Sequence, residues 1–178
     1  MSDPMSPALA GRADVRTILA IDPGSELSGW VVLNPATMRL RSFSKTPNAE
    51  LLAMVRDLSP DVGAVVIENI EPRFGIHPGW ETLDTARWTG RFQEAIAPME
   101  VTLLKRSDVL RHLGIVTHGP NRTTADAGVH AALIDRFGGA GGKAAAVGVK
   151  ASPGPLHGVT KDIWAALSVA VSWADGLR

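Results

Sequence analysis

The chain has 178 residues, of which 45% are hydrophobic, and its 18 basic and 18 acidic side chains give a formal net charge of zero. This length and composition predict one globular domain with a sizeable core. The absence of cysteine excludes disulfides and thiolate metal sites and favours a cytoplasmic protein. No apolar run is long enough to cross a membrane, and the zero net charge argues against a nonspecific nucleic-acid coat protein.

The N-terminal residues are polar, include two prolines and lack the apolar stretch of a signal peptide. We therefore predict a flexible tail over residues 1–15, followed by a single domain over residues 16–178. The start of that domain predicts an antiparallel meander, because three strand-like segments at 17–21, 28–33 and 38–44 are joined by short connections.

A helix is expected after the meander, because Thr46-Pro47 is typical of an N-cap followed by proline at the first helical position. The continuous apolar run at 63–67 predicts a central strand buried on both faces. A right-handed crossover would make this strand parallel to the first. Residues 138–158 are rich in glycine and predict a mobile loop.

The remaining predicted segments are a loop, one strand and four helices. They comprise a loop at 72–79, a helix at 80–96, a strand at 100–104 and helices at 106–114, 123–137 and 160–174. The sequence thus predicts an α/β fold with a five-stranded mixed sheet, three antiparallel strands and then parallel ones, flanked by helices.

Three acidic residues occupy positions at the ends of these elements. Asp22 ends the first strand and opens the turn Asp22-Pro23-Gly24, Glu68 follows the fourth strand, and Asp162 begins the last helix. Each alone has an ordinary explanation: turn chemistry for Asp22, a solvated strand end for Glu68, and a favourable helix dipole for Asp162.

Together the three acids predict more than each does alone. Because parallel strands end at the same sheet edge, Asp22 and Glu68 are expected to be close there. Carboxylate oxygens suit Mg²⁺ or Mn²⁺, and two such ions about 4 Å apart would clamp the attacking and leaving oxygens of a phosphodiester. The pattern therefore predicts a metal-dependent nuclease that needs no small-molecule cofactor.

The sequence also resembles a known family, the RuvC-type Holliday-junction resolvases of the RNase H-like superfamily. The resemblance covers about residues 17–173 and includes segments typical of phage-encoded members. Its segments, in chain order, are ILAIDPGS at 18–25 followed by Gly29, VIE at 66–68, WTGRF at 88–92, PGPLHGV at 153–159 and KDIWAAL at 161–167.

This resemblance implies that Asp22, Glu68 and Asp162 are ligands of two Mg²⁺ or Mn²⁺ ions. It further implies a homodimer that makes paired nicks in a four-way DNA junction, in the cytoplasm of a bacterium or a phage-infected host. Cellular members carry another Asp or His three residues before the last acid, and Val159 stands at that position here.

Two residues close to the last acid are further catalytic candidates. His157 lies five residues before the last acid and is a candidate to supply the missing group, with an ordinary loop histidine as the alternative. Lys161 adjoins the acid and is a candidate to contact the scissile phosphate.

Basic and aromatic residues near these motifs are candidates for binding DNA phosphates and stacking on an opened base. The alternative is that the arginines and lysines are merely solvated and the aromatic ring packs internally. The candidates are Arg73, Phe74, Arg87, Arg91, Lys143 and Lys150.

Other functions remain open from the sequence. An RNase H-like nuclease with another target, such as other branched DNA or RNA hybrids, fits the same three acids. A catalytically weak protein that binds DNA structures is a further alternative. Actin-like and sugar-kinase ATPases also open with Asp-x-Gly and a glycine hairpin, but they need two such domains, and this chain shows no second hairpin.

Overall fold

The computed structural model describes residues 17–58, 60–71, 77–120 and 122–177, so the tail predicted at 1–15 lies outside the described residues. A five-stranded sheet in the order β3-β2-β1-β4-β5 forms the centre of the domain. Strands β1 to β3 are antiparallel, whereas β4 and β5 run parallel to β1, which confirms the predicted mixed sheet. The strands are β1 Thr17–Asp22, β2 Leu27–Asn34, β3 Arg39–Pro47, β4 Val62–Asn69 and β5 Val101–Lys105.

Helices cover both faces of this sheet. Along β1, Ile18 and Ala20 belong to the core on one face, while Leu19 and Ile21 belong to the core on the other. This alternation is the two-residue period of a strand, and both phases are apolar because both faces are covered. The helices are α1 Asn48–Arg56, α2 Trp80–Ile96, α3 Arg106–His112, α4 Ala125–Gly138, α5 Gly142–Ala146 and α6 Asp162–Asp175.

Different helices cover the two faces of the sheet. Helices α1 and α2 pack on the second face through Leu51, Val55 and Phe92. Helix α6 lies on the first face and is apolar nearly all round, because α4 covers its other side. None of the helices in the described ranges combines the length and apolarity that a membrane crossing requires.

The predicted start of α1 was wrong by one residue. Thr46 belongs to β3, and its hydroxyl oxygen accepts a hydrogen bond from the Trp30 indole at 2.8 Å instead of capping the helix. The helix begins at Asn48, whose buried side chain accepts a hydrogen bond from Ser28 at 2.6 Å and donates one to the Gly24 carbonyl at 2.9 Å. These bonds fix the turn that follows β1.

The mobile loop predicted at 138–158 was also wrong, because the segment contains defined elements. A single 3-10 turn, Gly139–Gly141, leads into α5, and β6 Gly148–Val149 pairs with β7 Ser152–Pro153. Leu156 anchors the segment: its side chain is fully buried, and its backbone N–H donates to the Ala146 carbonyl at 2.8 Å. The many glycines permit tight turns rather than disorder.

Candidate active site

Asp22 and Glu68 are neighbours because β1 and β4 are parallel and in register. Ile21 pairs with Ile67, so the next residue of each strand lies at the same edge of the sheet. Asp22 is partly buried there, and the Glu68 side chain is 11% exposed. This is the edge at which open α/β sheets place their binding sites.

Asp162 reaches the same edge from α6, of which it is the first residue. Gly29 is the sheet partner of Asp22, and the Asp162 backbone lies directly over it. A Cβ atom on Gly29 would stand 2.6 Å from the Asp162 carbonyl oxygen, a distance that real Cβ atoms do not adopt. Glycine is therefore required at this position for the helix to approach the sheet.

The three acids line one cavity of about 460 Å³. Lys161, the candidate for contacting phosphate, lines it as well. The other side chains that line it with the three acids are Arg106, Asp126, Val129, His130, Trp164 and Ala165. The structure thus brings together all three acids that the sequence singled out.

Burial and mutual repulsion act on these acids. Burial, reinforced by the charges of Glu68 and Asp162, raises the pKa of Asp22 well above its ordinary value. Burial likewise raises the pKa of Glu68, although the nearby Arg106 guanidinium opposes the shift. The acidic groups of the site therefore repel one another when all are ionised, and nearby cations reduce that repulsion.

Two basic side chains supply part of that cationic charge. Lys45 on β3 forms an ion pair with Asp162. Arg106, the first residue of α3, lies with Nη1 3.2 Å from Glu68 Oε2 and with Nη2 2.8 Å from Asp126 Oδ1. The sequence analysis did not single out either residue. Arg106 directly follows β5, which is parallel to β4, so attention to the end of every parallel strand would have found it.

The donor set fits a hard divalent cation. Carboxylate oxygens are the preferred ligands of Mg²⁺ and Mn²⁺, and a cation would offset the burial and the repulsion that together raise the pKa of Asp22. Within the described ranges, no three acidic or histidine side chains stand close enough to hold one ion jointly. In this structure Glu68 and Asp162 are instead paired with Arg106 and Lys45.

The structure places the predicted fourth group away from the acids. Val159 is 7% exposed and packs in the core. His157 is exposed, its Nδ1 lies 3.2 Å from the Val147 carbonyl oxygen, and it does not line the acidic cavity. The imidazole that lines this cavity belongs to His130, whose ring centroid lies 4.6 Å from that of Trp164.

His130 could have been found from helical spacing. It follows Asp126 by four residues on α4, so both side chains share one face of that helix, and both line the cavity. The resemblance to the RuvC-type family does not mark the pair, because neither residue belongs to a segment that carries it.

Of the candidate DNA contacts, two lie outside the described residues and two others do not line the acidic cavity. Arg73 and Phe74 lie outside the described residues. Lys143 on α5 and Lys150 in the turn between β6 and β7 are exposed and do not line the acidic cavity. Their binding to DNA stays a prediction.

The two candidates on α2 are engaged locally. The Arg87 guanidinium forms an ion pair with Asp84 at 2.7 Å, one helical turn away. The Arg91 guanidinium stacks 4.0 Å from the centre of the Trp88 ring. Neither arginine lines the acidic cavity.

A larger cleft of about 1220 Å³ adjoins the acidic cavity and shares Asp22, Glu68 and Arg106 with it. Its lining carries further basic groups from α3 and from the segment between α3 and α4. These groups are Arg111, His118 and Arg122. The acidic Glu71 lines the cleft as well, and Arg111 forms an ion pair with Asp108 at 2.7 Å.

Comparison with known proteins supports the fold. No protein-family model and no curated protein matches the sequence. A solved structure of T. thermophilus RuvC in complex with Holliday junction substrate matches with 16% identity and a TM-score of 0.56, over 88% of this chain and 90% of that chain. Another Thermus thermophilus RuvC structure matches with 17% identity and a TM-score of 0.54, over 88% and 92%. The chain therefore has the RuvC-type, RNase H-like fold.

Proposed function

We propose that this protein is a divalent-metal-dependent endodeoxyribonuclease that cuts four-way DNA junctions. One observation carries the proposal: Asp22, Glu68 and Asp162, from three separate elements, line one cavity at the edge of the sheet. The solved RuvC structure in complex with a Holliday junction has the same fold and supports the choice of substrate.

Asp22, Glu68 and Asp162 would hold two Mg²⁺ or Mn²⁺ ions, with the central Asp22 close to both other acids. Bound there, the ions would lower the pKa of a water molecule and stabilise the departing 3′ oxygen of the phosphodiester. Lys161 is adjacent and offers an ammonium group to a non-bridging phosphate oxygen. Water would lose a proton and add to phosphorus while the bond to the 3′ oxygen breaks, and that oxygen would take up a proton from solvent to become the 3′ hydroxyl.

The larger cleft is the proposed path of the DNA. Arg111, His118 and Arg122 line it and would contact phosphates on a strand that leads to the acids. Phosphate contacts position a duplex without reading its sequence, which suits a nuclease that recognises branch shape. The zero net charge of the whole chain is compatible with this local basic surface.

A symmetric junction cut at two opposed positions calls for a twofold dimer. Helix α2 is one candidate for that contact, although its Phe92 is fully buried and packs internally. The same helix carries Trp80 and Leu83, which are 74% and 39% exposed and lie one turn apart. We place the dimer contact at these two residues.

A cleavage panel tests this proposal. The protein is incubated with Mg²⁺ or Mn²⁺ and with a four-way junction, a flap, a linear duplex or an RNA–DNA hybrid of matched sequence. Paired nicks in the junction, well above those in the linear duplex, are expected. Preferential cutting of flaps or hybrids would establish another RNase H-like target. Tight junction binding without cutting would instead identify a DNA-structure-binding protein.

A further inference from the structure

Arg106 has two acidic partners, and its bonds to them are unequal. Nη2 lies 2.8 Å from Asp126 Oδ1, whereas Nη1 lies 3.2 and 3.4 Å from the two Glu68 oxygens. The Asp126 side chain is 84% exposed and the Glu68 side chain is 11% exposed. The guanidinium therefore bridges an exposed acid, through one shorter contact, and a buried acid inside the site, through two longer ones.

A buried carboxylate needs a partner, because an unpaired charge out of water is costly. Arg106 supplies that partner to Glu68 in the protein without a bound ion. A guanidinium keeps its charge at all ordinary pH values, so it and a divalent ion compete for the same carboxylate. Asp126 would remain an ion-pair partner of the guanidinium if the Glu68 side chain turned from Arg106 to an ion.

We propose that Arg106 is a built-in counter-cation that pairs with Glu68 in the metal-free protein and yields it to the divalent ion, while Asp126 retains the guanidinium. The inference rests on the proposed metal-dependent function and deepens it by naming a device that sets metal affinity. Lys45 and Asp162 lack this second anchor among the contacts of the described residues, and both are more than a third exposed. Solvent screening therefore weakens their competition with an ion.

Calorimetric titration of Mn²⁺ into DNA-free protein tests the exchange. Arg106→Gln should bind Mn²⁺ about threefold to thirtyfold more tightly than the unmodified protein, because a competing charge is gone. Asp126→Asn should bind it several-fold more weakly, because the guanidinium then has only Glu68 as a partner. Arg56→Gln, which removes an exposed arginine on α1, should leave the affinity unchanged.

The double variant Arg106→Gln/Asp126→Asn decides how Asp126 acts. If Asp126 works through Arg106, its removal has no effect once Arg106 is gone. An equal effect of Asp126→Asn in both backgrounds would overturn the anchoring role, since it would show a direct charge effect on the ion. Unchanged or weaker Mn²⁺ binding by Arg106→Gln would overturn the competition itself.

Folding is checked by thermal denaturation of every variant. Arg106→Lys substitutes for Arg106→Gln should the latter unfold: it keeps a charge but not the fork that spans both acids, so its Mn²⁺ affinity should exceed that of the unmodified protein. An affinity no higher than that would then overturn the inference. No Mn²⁺ binding by the unmodified protein would remove the proposed metal site itself, whereas normal binding with unaltered variants would remove only the role of Arg106.

Discussion

Gly29 and Asp162 are in backbone contact, so that a single methyl group on Gly29 would collide with the Asp162 carbonyl group. Gly29 is also the sheet partner of Asp22. One glycine therefore sets the separation between two of the acids, because any side chain there would push α6 away from the sheet.

Gly29→Ala should destabilise the protein and remove nuclease activity together. Overpacking against backbone costs about 1–3 kcal/mol, and the displaced Asp162 would no longer face Asp22. Chemical denaturation and junction cleavage measure the two effects. Gly90→Ala is the matched control: a Cβ there meets nothing within 4 Å, and in the exposed face of α2 it should stabilise by about 0.5–1 kcal/mol. Full activity of Gly29→Ala would show that this contact does not position the site.

Asp22→Asn should abolish cleavage yet stabilise the protein in EDTA at neutral pH. Burial raises the pKa of Asp22 above its unfolded value, which is about 3.9. The folded state therefore binds the proton more tightly, and the stability that it gains from this is lost as pH rises through the folded pKa. Denaturation at pH 5 and pH 7.5 should show a loss in the unmodified protein that is smaller in Asp22→Asn.

The exposed Asp135 on α4 provides the control for this charge change. Asp135→Asn should leave both the stability and the cleavage rate close to those of the unmodified protein. A lower stability of Asp22→Asn than of the unmodified protein at pH 7.5 in EDTA would contradict the prediction that the buried charge of Asp22 destabilises the fold.

The sequence predicted the sheet and the three acids because both depend on local pattern and chain order. Apolar runs mark buried strands, and Asp22 and Glu68 stand at their ends. Arg106 and Lys45 escaped because their importance comes from pairing across elements distant in sequence. No local pattern marks Lys45, whose partner begins the last helix, whereas Arg106 is marked by its position directly after β5.

The errors have a similar origin. Glycine content predicted disorder at 138–158, yet burial of Leu156 and short backbone pairings organise that segment. Proline after Thr46 predicted a cap, but hydrogen bonding to Trp30 kept that threonine in the sheet. Tertiary contacts overrode composition in both places.

Lys161→Gly should raise stability by about 1 kcal/mol. Lys161 has φ 43° and ψ −124°, a conformation that side chains rarely adopt, immediately before Asp162. Glycine relieves that strain. Lys161→Ala removes the same ammonium group but retains the strained backbone. Both variants should therefore lose a similar fraction of the cleavage rate, whereas only the glycine variant should gain stability. That result would separate the phosphate contact of Lys161 from its backbone strain. Wild-type rates in both would exclude Lys161 from phosphate contact.

Trp80→Asp/Leu83→Asp should convert the protein to a monomer and leave each folded subunit able to bind DNA. These are exposed apolar side chains on one face of α2, and burying charge at a dimer contact is costly. Sedimentation at micromolar concentration measures the association. Val149→Asp alters an equally apolar, 64% exposed position on the β6–β7 hairpin and should remain dimeric. A monomeric unmodified protein with intact junction cleavage would contradict the dimer proposal.

His130 and His157 differ in their position relative to the three acids. His130 lines the acidic cavity and packs against Trp164 with its ring tilted by 42°, whereas His157 lies outside it with its ring against a backbone carbonyl. An imidazole in the cavity can position a water molecule or carry a proton, which contributes about a hundredfold or more to a rate. His130→Phe keeps the packed ring but removes both nitrogens, so it should slow cleavage by about that factor while the melting temperature changes little.

His157→Ala serves as the matched control and should cleave junctions at the unmodified rate, with the same dependence on pH. The opposite result, a slow His157→Ala and a fully active His130→Phe, would return the fourth catalytic group to the loop before α6. It would also mean that the segment around Gly158 folds over the sheet edge when DNA is bound, because only such a movement would bring the His157 ring from Val147 to the acids.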